Sequence, residues 1–471
     1  MKSKNLKIEL NSESEVSLYR QIYNKIKQKI IEGEFKVEER LPPIRDMARS
    51  LDINPATVVS AYDLLEEEGL IYKKPGSGCY ISGDENMSGI KIKGQKIFTQ
   101  GYLKPGEGIN LATAVPSPSL FPVEEFRAAL NHVLERDRGN VFTYQKSRGY
   151  TRLRETVSSY MSAKGMEVDM GNIQIVSGAQ QAIDLLSRQV KPGETVVMGE
   201  PTYPGAISAF TVRGTALRGV SLQEDGMDME AFQKVLRRED VRFVYVMTAF
   251  QNPTGITWSQ EKKEKLLKLA VEYDFLIIED DCVSELYYDN KIPRSLKSMD
   301  NTDRVIYIKS FSKIFMPGLR LAFLTVPDQL LSPILSAKYN ADISCAGLTQ
   351  RAFEYFLREE NRKDHIEKMR KLFGLRYKFM YEEIQNKLVP AAKPVFKPRG
   401  GLYFWVELSE NMDGEEIYSK VAKKGVIIFP GKLCQIKGQE TNKIRLSFAA
   451  ADTDEIRKGI KILSNLLEDY H

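Results

Sequence analysis

The sequence predicts an α/β protein in two parts. A small helical unit closed by a β-hairpin is followed by a large domain with a mostly parallel sheet and a small C-terminal α+β lobe. Three observations carry this. At 471 residues the chain exceeds one ordinary domain. Up to residue 82 it reads as helix, short helix, turn, helix and hairpin. From residue 109 onward, short apolar runs alternate with helix-length amphipathic stretches, the pattern of strands joined by crossover helices.

Leu18, Ile22, Ile26 and Ile30 recur every four residues and form an apolar stripe on a helix that Gly33 is expected to end. Pro42 and Pro43 open the short helix IRDMARSL, with Ile44, Met47, Ala48 and Leu51 inward. After the turn at Asp52 and Ile53 comes NPATVVSAYDLLEEEGL. Asn54 is a good N-cap and Pro55 suits the first helical position. Val58, Ala61, Tyr62 and Leu65 make the buried face of this third helix. IYKKPGSGCYIS alternates and turns at PGSG, as a hairpin does. The order matches a winged helix-turn-helix over residues 1–82.

Residues 83–108 are rich in Gly, Lys and polar residues without a period and read as a linker. In residues 109–471, IQIV, TVVM, FVYVM, FLIIED, VIYI and LAFLT read as buried strands, and SQEKKEKLLKLAVEY as a crossover helix. GLYFWVEL, GVIIFPG and IRLSFA build the smaller lobe. No segment repeats.

Composition narrows the class. A hydrophobic content of 42% supports a sizeable core, and a net charge of +5 is no polybasic signature. Cys79, Cys282, Cys345 and Cys434 form no CxxC pair, and the three histidines are dispersed. That pattern speaks against a disulfide framework or a metal site and fits a reducing compartment. The start lacks the apolar core of a signal peptide, and no apolar run reaches membrane-spanning length. The expectation is a cytoplasmic protein without a membrane partner.

LPPIRDMARSLDINPATVVSAYDLLEEEGLIYKKPGSGCYIS resembles the DNA-binding domain of the GntR family of bacterial transcription regulators. The resemblance rests on the LPP start, the turn, the TV of the third helix, EEGLI and the Gly-rich wing. It implies a double-stranded DNA operator as partner, with Arg45, Asn54, Thr57, Lys73, Lys74 and Gly76 as candidate contacts. One feature departs from the family. Nine Lys and four Arg in residues 1–82 are balanced by thirteen Asp and Glu, and the third helix starts without an arginine. DNA affinity comes largely from phosphate neutralisation, so weak binding per module and a dimer reading two half-sites are expected.

The second domain carries motifs in a telling order. SGAQQ follows a strand and opens a helix, EPTYPG and QNPTG are turns after strands, FLIIEDDC ends a buried strand on acids, and SFSKIFMPGLR places a lysine before an arginine. KIRLSFA lies near the end. Together these resemble the fold-type I, pyridoxal-phosphate-dependent aminotransferases over nearly all of 109–471. The resemblance implies that Lys313 is the catalytic lysine, holding pyridoxal 5'-phosphate as a Schiff base. Asp280 would pair with the pyridinium nitrogen, Asn252 with the ring oxygen, and Tyr203 would stack on the ring. Gly178, Ala179 and Gln180 would offer a helix N-terminus to the phosphate, with Ser310, Ser312 and Arg320 beside them. Tyr144 in YQKSRGYTRLRE would reach the phosphate of the neighbouring subunit, which implies a homodimer. Arg445 would clamp a carboxylate. Cys282 departs from the pattern, because many regulators of this kind have a tyrosine there, and a thiol has neither the reach nor the acidity of a phenol.

Both resemblances together cover almost the whole chain and match the MocR subfamily. They imply a transcription regulator that senses an amino acid, an amine or pyridoxal phosphate, with each head packed on the partner chain. The alternative is a catalytically active aminotransferase with a DNA-binding head.

Overall fold

The structure, a computed structural model, describes Leu10, residues 17–31, Phe35, and residues 39–67, 70–74, 78–81, 108–289, 291–358 and 361–470. Gly33, Gly76 and nearly all of the expected linker lie outside the described residues. The chain divides into two compact units, Met1–Lys96 and Ile97–His471.

The first unit holds α1 (Leu18–Ile31), α2 (Ile44–Leu51), α3 (Pro55–Glu67), β1 (Ile71–Lys74) and β2 (Gly78–Ile81). The apolar stripe of α1 is buried as its spacing requires: Ile22, Ile26 and Ile30 pack in one core with Met47, Val58, Tyr62 and Leu65. Inside this core the Tyr62 hydroxyl donates to the Pro42 carbonyl at 2.8 Å and ties α3 to the entrance of α2. Asp52 ends α2 in the left-handed region, with its N–H returned to the helix. The Asn54 side chain accepts the Ala56 N–H at 2.9 Å and so caps α3. β1 and β2 pair antiparallel, Ile71 opposite Ile81, and a bridge from Arg40 to Tyr80 extends the wing.

The second unit runs β3 (Ile109–Asn110), α4 (Val123–Asp137), α5 (Thr151–Ser162), β4 (Ile173–Val176), α6 (Ala179–Ser187), β5 (Thr195–Glu200), α7 (Pro204–Thr211), β6 (Ala216–Gln223), β7 (Gly226–Met227), α8 (Met229–Leu236) and β8 (Val241–Val246). It continues through α9 (Gln260–Glu272), β9 (Leu276–Asp281), β10 (Val305–Ser310), β11 (Ala322–Thr325), α10 (Asp328–Asp342), α11 (Gly347–Arg358) and α12 (Asn361–Lys387). The lobe adds β12 (Ala392–Pro394), β13 (Tyr403–Leu408), α13 (Gly414–Lys423), β14 (Val426–Ile427), β15 (Phe429–Pro430), β16 (Lys443–Ser447) and α14 (Thr453–Glu468).

The large sheet has the order β4-β11-β10-β9-β8-β5-β6-β7. β10, β9, β8, β5 and β6 run parallel, while β11 opposes both its neighbours. The expected strands are all present and are buried throughout, because helices cover both faces of the sheet. β6 was not expected. Its sequence ALRGVSLQ has no apolar run, and most of its residues are exposed or half-buried near the sheet edge. A second, antiparallel sheet of order β12-β13-β16-β15 forms the lobe. The four cysteines are free, and among the described residues no helix is long and apolar enough to cross a membrane.

Candidate functional site

In an open parallel sheet, ligands bind beyond the carboxyl ends of the strands. The predicted residues gather there. Ala179 and Gln180 follow β4, Tyr203 follows β5, Asn252 follows β8, Asp280 is the penultimate residue of β9 and Ser310 ends β10. These side chains, with Ser312, Lys313, Arg320 and, from β16, Arg445, line a cavity of about 500 Å³.

The pleat separates two neighbouring acids. Successive strand residues face opposite sides, so Asp280 faces the cavity while Asp281 faces away. Asp281 is 3.1 Å from the Lys309 ammonium, accepts the Ser284 hydroxyl at 2.6 Å and the Tyr307 hydroxyl at 2.5 Å. Asp280 Oδ2 accepts the Tyr245 hydroxyl at 2.7 Å, and its Oδ1 is buried without a partner. Burial raises the Asp280 carboxyl to about 6; the Tyr245 hydrogen bond works against this and Asp281 adds to it. An orphaned carboxylate oxygen at a cavity wall is costly unless a ligand donor meets it.

Lys313 sits in the turn after β10. Burial lowers its ammonium to about 8; Cys282 opposes this, and the Arg445 and Arg320 guanidiniums push further down. The neutral amine, the form that attacks a carbonyl, is therefore far more populated near neutral pH than in an ordinary lysine. Cys282 also lines the cavity, and its thiol is pushed up by burial first and the Asp280 charge second.

The turn before α6 forms a cradle. Gly178 has φ +90°, open to glycine but strained for other residues. A Cβ there would come within 2.7 Å of Arg320 Nη2. Arg320 in turn donates to the Ser177 carbonyl at 2.9 Å, which brings guanidinium and helix N-terminus to one spot. The Tyr203 hydroxyl reaches Gln180 Oε1 at 3.3 Å, and burial, with Asp280 second, pushes its phenol up.

Arg445 is 5% exposed. It donates to Asn252 Oδ1 at 2.7 Å and to the Ala112 carbonyl at 2.6 Å, while Nε has no partner. Its guanidinium lies over the rings of Phe429, at 4.2 Å, and Tyr403, at 5.3 Å. The fork is thus pre-oriented by packing.

The residues present fit pyridoxal 5'-phosphate: a lysine with a depressed pKa, an unpaired carboxylate, and an anion cradle share one cavity. The sequence reading missed Tyr245, which orients Asp280, and the aromatic support of Arg445 by Phe429 and Tyr403. A tyrosine inside the run FVYVM was the available signal for the first; the second depends on strand pairing, Arg445 opposite both Trp405 and Phe429.

Tyr144 does not join its own chain's cavity and is 84% exposed. In the first unit Arg45, Arg49, Asn54 and Lys74 are exposed, and Thr57 is half-buried. Lys73 is engaged by Asp63 at 2.5 Å and Glu66 at 2.6 Å, which raise its pKa and balance its charge. Lys74 lies over the Tyr72 and Tyr80 rings.

Comparison with known proteins gives two family matches. Residues 107–463 match "Aminotransferase class I and II", and residues 18–81 match "Bacterial regulatory proteins, gntR family". The uncharacterized HTH-type transcriptional regulator YdfD of Bacillus subtilis is 29% identical over 96% of both chains. The probable rhizopine catabolism regulatory protein MocR of Rhizobium meliloti is 25% identical over 96% of this chain and 94% of its own. The crystal structure of Pyrococcus horikoshii kynurenine aminotransferase, in complex with PMP, superimposes with a TM-score of 0.77 at 30% identity, covering 82% of this chain and 97% of that one.

Proposed function

The chain belongs to the class I and II aminotransferase family and carries a gntR-family head, the architecture of MocR regulators, and from that premise we propose that it senses an amino acid or amine through pyridoxal 5'-phosphate and reports it to DNA. The observation that carries this reading is the unpaired Asp280 Oδ1 in one cavity with Lys313. In this reading Lys313, Asp280, Asn252, Tyr203, Ser310, Ser312 and Arg320 hold the cofactor with the backbone of Gly178, Ala179 and Gln180. When bound, the cofactor supplies an aldehyde that exchanges amine partners and a ring that accepts electrons.

The chain's own groups then do defined work. Lys313 would hold the cofactor aldehyde through its amine. Tyr245 aims Asp280, whose carboxylate would pair with a protonated ring nitrogen of the cofactor. Arg445 receives an effector carboxylate through its planar fork. The exposed Tyr144 supports a homodimer in which it serves the neighbouring site. In the head, Arg45, Arg49 and Lys74 neutralise phosphates, and Thr57 and Asn54 lie at the start of the recognition helix. The even balance of basic and acidic residues over 1–82 favours a dimer on two half-sites in a cytoplasmic regulator.

The test joins both halves. An operator duplex is selected from a randomised pool with purified holoprotein. Amino acids, amines and free pyridoxal phosphate are then titrated while visible absorbance and operator binding are recorded together. The reading expects one ligand to move both signals at the same concentration, and deletion of residues 1–82 to abolish operator binding. Unchanged DNA binding without the head would sink it. The lowered Lys313 pKa favours a second reading, transamination, since a freed neutral lysine is a competent base. Sustained conversion of a keto acid to an amino acid would establish that activity.

A further inference from the structure

The cavity has two chemically different ends. One holds Lys313, Asp280 and the start of α6 at Ala179 and Gln180. The other wall comes from the lobe and from the segment after β3, and it presents Val115, Leu402, Tyr418, Ile427, Ile428 and Phe429. Among the described lining residues, the charged ones are Asp280, Lys313, Arg320 and Arg445. Arg320 is tied to the turn before α6. Asp280 and Lys313 serve the cofactor in the reading above. Among this chain's described lining residues, Arg445 alone remains for a charge on the effector, and it suits one carboxylate.

A second charge on the effector has no ionic partner among the described residues of this wall. Stripping water from an ion without pairing it is unfavourable, whereas an apolar side chain gains free energy on leaving water. Neutral hydroxyls at Thr113 and Tyr418 do not offset an ionic loss. We infer that the effector is an α-amino acid with one carboxylate and an apolar or aromatic side chain, and that Tyr418, Ile427, Ile428 and Phe429 set this preference. The inference rests on the reading that this cavity senses amino acids.

Holoprotein is titrated with L-leucine, L-phenylalanine, L-glutamate, L-lysine and phenethylamine, and the visible absorbance of the bound cofactor is followed. Leucine or phenylalanine is expected to half-saturate at concentrations at least tenfold below glutamate and lysine. Phenethylamine, which lacks the carboxylate, is expected at least tenfold above phenylalanine. Tyr418 is half-buried on α13, and Tyr418→Arg should narrow the gap between glutamate and leucine at least tenfold. Glutamate or lysine acting at or below the concentration of leucine and phenylalanine overturns the inference and leaves sensing intact. A cofactor band that no amino acid moves overturns sensing and the inference together. The wild-type panel decides both cases even where the variant fails to fold.

Discussion

Lys309 and Lys313 stand four residues apart, yet Lys309 is ringed by acids on one face of β9 and β10, while Lys313 lines the cavity on the other with Asp280. On the closed face, Lys309 pairs with Asp281 at 3.1 Å and Glu285 at 2.6 Å, Lys164 joins Glu285 at 2.5 Å, and the Tyr160 hydroxyl donates to Glu285. Although burial alone would push the carboxyls up, these cations hold both Asp281 and Glu285 down, and the two acids raise Lys309 against its own burial. On the cavity face, burial meets no such compensation: Asp280 goes up to about 6 and Lys313 down to about 8. The chemistry-bearing face is the one left incomplete. A satisfied buried charge cluster holds the strands, and an unsatisfied one waits for a ligand.

The largest effect expected from this contrast is at Lys313. Lys313→Ala should remove the visible absorbance of bound cofactor entirely, with no loss of stability in the cofactor-free protein. A retained band would place the attachment elsewhere. Next, Lys309→Met leaves two buried carboxylates short of a partner and should cost about 3–5 kcal/mol in urea unfolding. A loss below about 1 kcal/mol would show that the closed face is not a coupled unit.

Asp280→Asn should run the other way. The folded pKa is raised, so the wild-type penalty is absent below the ordinary carboxyl value of 3.8 and fully present above about 6. At pH 7 the cofactor-free variant should therefore be more stable by roughly 1–3 kcal/mol, and the two proteins should converge below pH 4. Its affinity for the cofactor should fall. An Asn variant less stable than wild type at pH 7 would break the contrast.

The smallest effect is a shift in pH dependence. Cofactor uptake needs the neutral amine, so its rate in stopped-flow should rise with a midpoint near pH 8. For stability the sign follows from a depressed lysine pKa: the unfolded chain binds more protons between about 8 and 10.5, so the Lys313 contribution to stability rises with pH across that window. An uptake midpoint near 10.5 would mean that burial does not tune this lysine.

Much of this was legible beforehand. The head was readable because spacing alone sets it: the four-residue stripe of α1 and the Asn54-Pro55 start of α3 need no distant partner. Lys73 was not. It reads as a free cation, but the hairpin folds it back onto Asp63 and Glu66. In the large unit the buried strands announced themselves as apolar runs, while β6 did not, because its apolar residues Leu217, Val220 and Leu222 are interleaved with polar ones and backbone pairing with β5 and β7 holds the rest.

By itself the sequence determined the element order and the two-part division, because local spacing and residue chemistry specify these; the residues proposed to hold a phosphate, an aldehyde and a carboxylate came from the resemblance of their motifs to a known family. Only the tertiary structure decided which of two adjacent aspartates faces the cavity and that Tyr245 aims it. It likewise decided that Arg445 is held by residues as distant as Ala112 and Asn252. The pleat assigns faces strictly by register, and register arises from pairing between strands far apart in the chain. The pKa values that separate a structural lysine from a reactive one follow from that placement, since they depend on which buried charges end up unpaired.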